Sequence, residues 1–183
     1  MSGWILLGLL VVLLFFVVST YNRLVRLRVQ AENAWADIDV QLKRRHDLIP
    51  NVVQTVKGYA EHEQDTLEQV VEARSRAMQA TGPAEQAEAE GMLTNALKSL
   101  FALSEDYPDL KAAGNFRELQ ETLGQIESAI QNARRYYNAV VRDFNTKVQQ
   151  FPTNLVAGAF GFDQREFFAL ADEGERAVPE VQF

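Results

Sequence analysis

The chain has 183 residues, enough for one ordinary domain and short for two. It contains no cysteine, which excludes disulfides, thiolate catalysis and cysteine-ligated zinc or iron–sulfur centres. The formal net charge of −7 argues against a nucleic-acid-binding surface, because that function needs clustered Lys and Arg. Pro is scarce and helix-forming residues dominate after the first twenty positions, which predicts an all-α protein.

The chain begins with an apolar segment, and no residue from Trp4 to Val18 has a polar side chain. As a helix, Gly3 to Tyr21 would be about 28 Å long, close to the thickness of the bilayer hydrocarbon. We therefore predict that residues 1–21 are a transmembrane anchor that contacts the lipid bilayer through Trp4–Tyr21. A cleaved secretory signal fits less well, since no Lys or Arg precedes the apolar run and no small-residue cleavage site follows it.

Three arginines, Arg23, Arg26 and Arg28, come directly after this segment. Positive charge beside a membrane helix marks the cytoplasmic side. The predicted protein is therefore single-pass, with its short amino terminus outside and the remainder in the cytoplasm.

The first helical pattern after the anchor runs from Leu24 to Val56, with apolar residues three or four positions apart. Its phase continues through Pro50 and ends near Gly58-Tyr59, where Gly favours a helix C-terminus. Pro50 cannot donate a hydrogen bond to the carbonyl of His46, so we expect a bend or a weakened turn there.

Three more helical patterns follow, with apolar positions in residues 67–78, 92–103 and 116–151. Asn115 with Glu118 forms a capping-box variant that predicts the start of the last helix, and Pro152 marks its end. Four helices with short links predict an antiparallel bundle, with a long coiled coil as the alternative. The bundle is expected over residues 22–168, followed by a flexible acidic tail at 169–183.

Arg45 lies on the apolar face of the first helix, at the heptad position of Ile38 and Val52. A buried, unpaired guanidinium is costly, so Arg45 needs an acidic partner or an exit to water along its aliphatic stem. The candidate partners are Glu68, Glu72 and Glu127, which the sequence does not rank.

No catalytic or metal-binding pattern is recognisable. His46 and His62 are the only imidazoles, and neither belongs to a zinc or di-iron helix motif. A phosphate-binding glycine loop and a nucleophile elbow are also missing. The active-site criteria therefore predict a protein that is not an enzyme and has no metal or cofactor.

Several irregular stretches resemble the LemA family: AWADIDVQLKRRHDLIPN (34–51), VKGYAEHE (56–63), ALKSLFALSEDYPDLKA (96–112) and FPTNLVAGAFGF (151–162). The likeness runs from Tyr21 to Phe162, and the tail after Phe168 is the least similar part. The resemblance implies a bacterial inner-membrane protein with one transmembrane helix and a helical bundle. The family has no settled activity. One relative takes part in magnetosome membrane formation, and the family's genes lie near genes for membrane metalloproteases or TPM-domain proteins, which makes such proteins candidate partners.

The segment from Phe151 to Phe168 breaks the helical period and is rich in Phe and Gly. One interpretation is a cap over the open end of the bundle, where aromatic rings bury area. The other is an apolar patch offered to the bilayer, to a second copy or to a partner. The residues concerned are Phe160, Phe162, Phe167 and Phe168.

The leading functional hypothesis is a non-enzymatic, membrane-anchored helical scaffold or adaptor that self-associates and either organises the inner membrane or presents its bundle to a partner. The alternative is a membrane-tethered sensor of a small ligand or metal ion. Its ligand-facing residues would be Arg45, Asp37, Asp39 and His46.

Overall fold

The structure is a computed structural model and describes residues 2–169. Within that range it contains six α-helices and one short 3-10 turn but no strand, so the all-α prediction is confirmed. The helices are α1 (Ser2–Lys57), α2 (Gln64–Gln79), α3 (Gly82–Leu103), α4 (Pro108–Ala112), α5 (Gly114–Gln149) and α6 (Thr153–Ala159), and the 3-10 turn is Ser104–Asp106. The predicted acidic tail lies outside the described residues, apart from Ala169.

The first helix is 56 residues long and contains the apolar amino-terminal stretch. It is the one helix among residues 2–169 that is long and apolar enough to cross a membrane. Leu9 and Leu10, in the middle of that stretch, are 63% and 62% exposed. These side chains are therefore available to a lipid environment.

Two packed units divide the chain. We call residues 2–39 with 132–167 the terminal unit, and residues 40–131 with Phe168 and Ala169 the central unit. Both long helices, α1 and α5, contribute to both units.

The central unit has the predicted helical bundle, in which α1, α2, α3 and α5 share one aliphatic core. Ile49 and Val52 of α1 are fully buried there, together with Val70 of α2 and Leu93 of α3. Leu110 of α4 also belongs to this core. Because consecutive helices are joined by short links, the bundle is built mainly from neighbours in sequence.

The terminal unit is built around aromatic rings. The rings of Trp35 on α1 and Tyr137 on α5 lie 5.4 Å apart, and Leu24 clusters with Phe144, Ala157 and Phe162. Residues later in α5 thus pack against residues earlier in α1, so the two helices are antiparallel within this unit.

Two local expectations need correction. The last long helix begins at Gly114, so Asn115 lies inside it, and its side-chain oxygen accepts from the Phe116 amide rather than forming the predicted capping box. The Phe/Gly-rich segment contains α6, although no helix was expected there. After α6, Gly161 adopts a φ of 68°, a conformation that strains other residues, and the chain reverses there.

Candidate functional site

The most unusual chemistry in the central unit surrounds Arg45, which is only 4% exposed. Its guanidinium lies 3.0 Å from Glu90 Oε2 and 3.3 Å from Glu127 Oε2, and it donates to Thr94 Oγ1 at 2.7 Å. The predicted alternative, in which the Arg45 side chain reaches water along its aliphatic stem, is therefore wrong, because its charge is paired inside the bundle.

The sequence identified one of these acidic partners and missed the other. Glu127 was one of three candidates, and its ion pair is confirmed. Glu72 instead pairs with Arg76 on the exposed surface of α2, and Glu68 is also exposed. Glu90 was not among the candidates.

Glu90 is the centre of the network and is 3% exposed. One carboxylate oxygen, Oε2, accepts from Arg45. The other, Oε1, lies 2.7 Å from His46 Nε2 and accepts from Gln86 Nε2 at 3.1 Å. A carboxylate with three side-chain contacts of this kind is strongly held, and it holds α1 against α3.

Pro50 explains a further contact of the same network. Because Pro50 has no N–H, the carbonyl of His46 lacks its helical donor. Arg74 of α2 donates to that oxygen through Nε at 2.7 Å. The helix continues through Pro50, and the interrupted hydrogen bond is replaced by one from a neighbouring helix.

An open groove of about 600 Å³ lies between α3 and α5 beside Arg45. Leu97, Phe101 and Leu123 supply apolar lining, while Thr94, Lys98 and Glu127 supply polar groups. The volume falls within the usual range for a small-molecule site. Gly124 contributes no side chain to this wall, and a Cβ added there would meet nothing within 4 Å.

The other predicted site residues do not form one cluster. Asp37 and Asp39 are exposed residues of the terminal unit, whereas His46 is buried in the central unit. The four aromatic positions alternate between exposed Phe160 and Phe167, at 54% and 42%, and buried Phe162 and Phe168.

The polar atoms of the network form hydrogen bonds to one another. Within residues 2–169, no buried side-chain nitrogen or oxygen lacks a hydrogen-bond partner. The same range contains no group of three or more Asp, Glu, His or Cys residues placed to hold a metal ion. The arrangement thus fixes the relative positions of helices inside the central unit, which is a structural effect.

A signal for Glu90 does exist in the sequence. The predicted pattern of α3 starts at Met92, which is 42% exposed in the structure. The buried register instead runs backwards from Leu97 through Leu93 to Glu90 and Gln86, at steps of three and four residues. Following the apolar positions towards the helix start would have placed both polar residues on the buried face.

Comparison with known proteins identifies the family of the chain. Residues 34–183 match the model of the LemA family. The chain belongs to the LemA family. The match includes residues 169–183, which the motif resemblance had left as the least similar part.

Curated relatives extend the comparison. LemA family member "Protein LemA" of Metamycoplasma hominis is 30% identical over 147 residues, covering 78% of this chain and 66% of that protein. "Magnetosome protein MamQ 2" of Paramagnetospirillum magneticum and "Magnetosome protein MamQ" of Magnetospirillum gryphiswaldense are each 23% identical over 184 residues, covering 86% of this chain and 68% of the relative. The chain thus spans about two thirds of the length of these relatives, and none of their names is that of an enzyme.

Proposed function

We propose that this LemA family chain is a non-enzymatic, membrane-anchored scaffold or adaptor that self-associates and organises the bacterial inner membrane or presents its bundle to a partner. The observation that carries the proposal is the continuity of α1. One helix contains the exposed apolar stretch and also supplies buried residues to both packed units. No linker separates the anchor from the folded part, so a bound partner would be held close to the bilayer.

The ionic network supports a scaffold rather than a catalyst. Glu90 and His46 are the residue types that general acid–base catalysis uses. Here they bind each other between packed helices, and Glu90 also accepts from Arg45. Similarity to two magnetosome proteins also supports a role connected with membrane organisation.

Self-association has support on the surface of α2. Val71 and Met78 are 50% and 57% exposed, and seven residues separate them, which places both on one helix face. Such a face suits a second copy of the chain. Light scattering on the full-length protein in detergent should give a mass of more than one chain, and Val71→Glu with Met78→Glu should lower it. A single-chain mass without co-purifying protein would contradict the proposal.

The predicted orientation is part of the proposal, with the amino terminus outside and the bundle in the cytoplasm. The support is the group of exposed arginines that follows the apolar stretch, Arg23, Arg26 and Arg28. Because the chain has no native cysteine, single-cysteine variants report cleanly. Ser2→Cys should react with a membrane-impermeant maleimide in intact cells, and Ser99→Cys only after lysis. The reverse pattern would invert the topology.

For the partner of the adaptor, the resemblance to the LemA family suggests a membrane metalloprotease or a TPM-domain protein. Crosslinking in intact membranes followed by mass spectrometry identifies proteins next to the bundle. Recovery of a membrane protein of either kind would support the adaptor role, whereas crosslinks confined to copies of this chain would favour a scaffold made of itself.

The groove beside Arg45 favours a second candidate, a membrane-tethered sensor of a small ligand. Native mass spectrometry of the full-length chain would reveal a small molecule that co-purifies with it. Gly124→Trp should remove that molecule, because the indole would enter the open groove. Ser128→Trp, at an exposed position of α5 outside the groove lining, is the matched control.

A further inference from the structure

The helix α6 and its two neighbouring aromatic residues expose apolar area that the fold does not bury. Phe151, Leu155 and Phe160 are 75%, 64% and 54% exposed. The helix between them is only seven residues long, about 10 Å, so the three side chains belong to one small region. We call these three residues the α6 apolar surface. Two other residues of α6, Val156 and Ala157, are buried, and Ala157 packs in the cluster of Leu24, Phe144 and Phe162.

The packing of α5 on α1 places this surface along the membrane helix. Phe144 clusters with Leu24, and the two helices are antiparallel within the terminal unit. From Phe144 to its end at Gln149, α5 rises about 7 Å, which corresponds to about five residues of α1 before Leu24. The end of α5 therefore lies near the level of Ser19, and α6 begins just beyond it.

Direct contacts also place α6 beside α1 near the level of Ser19. The ring of Tyr21 lies 4.9 Å from Phe160 and 5.6 Å from Phe162, both with edge geometry. Phe16 and Thr20, one turn apart on α1, are also covered: Thr20 is 8% exposed and Phe16 is half-buried, whereas residues earlier in the apolar stretch are exposed. The segment around α6 therefore lies beside the last turns of the stretch that is long enough to cross a membrane.

The charge around this surface fits lipid headgroups. No acidic residue occurs from Phe144 to Phe162, although the chain as a whole carries a net charge of −7. The arginines of α1 follow Tyr21 within two turns, and the Arg28 guanidinium lies 5.4 Å from the centre of the Phe162 ring. Aromatic and apolar side chains with basic residues behind them are the composition that sits at the boundary between headgroups and acyl chains.

We propose that the α6 apolar surface inserts into the interfacial layer of the bilayer and gives the protein a second membrane contact beside α1. This inference rests on the proposed function, since it takes α1 as the membrane anchor. The contact would fix the depth of α1 and its rotation about its own axis, because α6 is attached to one face of that helix.

Spin labels on single-cysteine variants test this in the full-length protein. The protein is reconstituted into vesicles of phosphatidylcholine with a minor fraction of phosphatidylglycerol. Labels at Leu155→Cys and Phe151→Cys should collide more often with oxygen than with a water-soluble nickel chelate, because oxygen concentrates in lipid. Ser99→Cys on α3 should show the opposite preference, and Leu10→Cys should show the strongest preference for oxygen.

The controls separate the possible failures. A preference for oxygen at Leu10, together with a preference for the nickel chelate at Leu155 and Phe151, would overturn the interfacial contact and leave the anchor intact. A preference for the nickel chelate at Leu10, Leu155 and Phe151 would overturn the anchor, and the proposed function with it. Labels at Leu155 that are shielded from both reagents and dipolar-coupled between chains would assign the surface to a second copy and also overturn the proposal. All four labelled positions are exposed, and circular dichroism checks that each variant folds.

Discussion

The terminal and central units bury polar groups in different ways. In the terminal unit, side chains bond to backbone: Asn145 both donates to and accepts from the backbone of Arg165, at 2.8 Å each, and the Tyr137 hydroxyl donates to the Glu166 carbonyl. In the central unit, a buried carboxylate is bound by other side chains, because Arg45, His46 and Gln86 all contact Glu90.

The two kinds of bond therefore have different structural effects. Side-chain-to-backbone bonds position one irregular segment after α6, and the loss of one bond leaves neutral groups unpaired. The central network positions whole helices, and the loss of one member leaves a buried charge unpaired, which is the more costly event. The central unit should therefore be more sensitive to single polar substitutions.

The largest effect is expected from Glu90→Ala, which tests that sensitivity directly. The substitution leaves Arg45 buried with its longer contact to Glu127 as the remaining ion pair, beside the hydrogen bond to Thr94, and leaves His46 without its carboxylate. Breaking a buried pair by removing one partner costs about 3–5 kcal/mol. Denaturant unfolding of the full-length chain in detergent measures the loss.

Glu72→Ala is the matched control, because Glu72 pairs with Arg76 and both side chains are more than half exposed. An exposed pair four residues apart on a helix contributes only about 0.3–0.5 kcal/mol. Equal losses for the two variants would mean that the buried network stabilises the chain no more than an exposed ion pair does.

An intermediate effect is expected from Arg74→Ala, which removes the donor to the His46 carbonyl. A hydrogen bond from a charged donor contributes about 1.5–3 kcal/mol. In a Pro50→Ala background the helix regains its own N–H donor for that carbonyl, so Arg74→Ala should cost less. The double-mutant cycle should show a coupling of at least about 0.5 kcal/mol, and strictly additive losses would show that Arg74 does not replace the missing helical bond.

The smallest effect concerns one tyrosine in each unit. The pKa of Tyr107 is raised above its ordinary value of 10.0, mainly because its hydroxyl donates to Glu63. The pKa of Tyr137 is also raised, mainly because the ring is buried. In both cases folding favours the neutral phenol, so the stabilisation is complete below about pH 10 and is lost as the pH rises through the higher folded pKa.

Tyr107→Phe and Tyr137→Phe remove one titrating group each. Each variant should lose stability less steeply than the parent chain above about pH 10, and the ultraviolet titration of tyrosinate should lose a late-ionising component. If the alkaline slope of either variant equals that of the parent, the corresponding tyrosine does not contribute.

The sequence predicted the parts of the site that one helix determines. Arg45 lies on the apolar face of α1 by its heptad position, and Pro50 removes a donor from His46 by its covalent structure. Both consequences can be read from a single segment. The partners could not be ranked in the same way, because Glu90, Arg74 and Glu127 lie on three other helices.

Short elements were the least predictable part of the fold. The seven residues of α6 make about two helical turns, too few for a helix to be stable alone or to show a period. Its formation depends on burying Val156 and Ala157 against the rest of the terminal unit. The long seam of α5 was recognisable because it repeats over 36 residues.

The distribution of the two units along the sequence sets an order during synthesis. Arg45 and Glu90 are 45 positions apart within one continuous region, whereas the pair Glu32 and Arg165, in the terminal unit, is separated by 133 positions. The ribosome therefore completes residues 40–131 of the central unit before the second half of the terminal unit exists. The residues of the ionic network are all made by then, whereas the packing of Trp35 on Tyr137, and of Tyr21 on Phe160 and Phe162, needs residues 132–162.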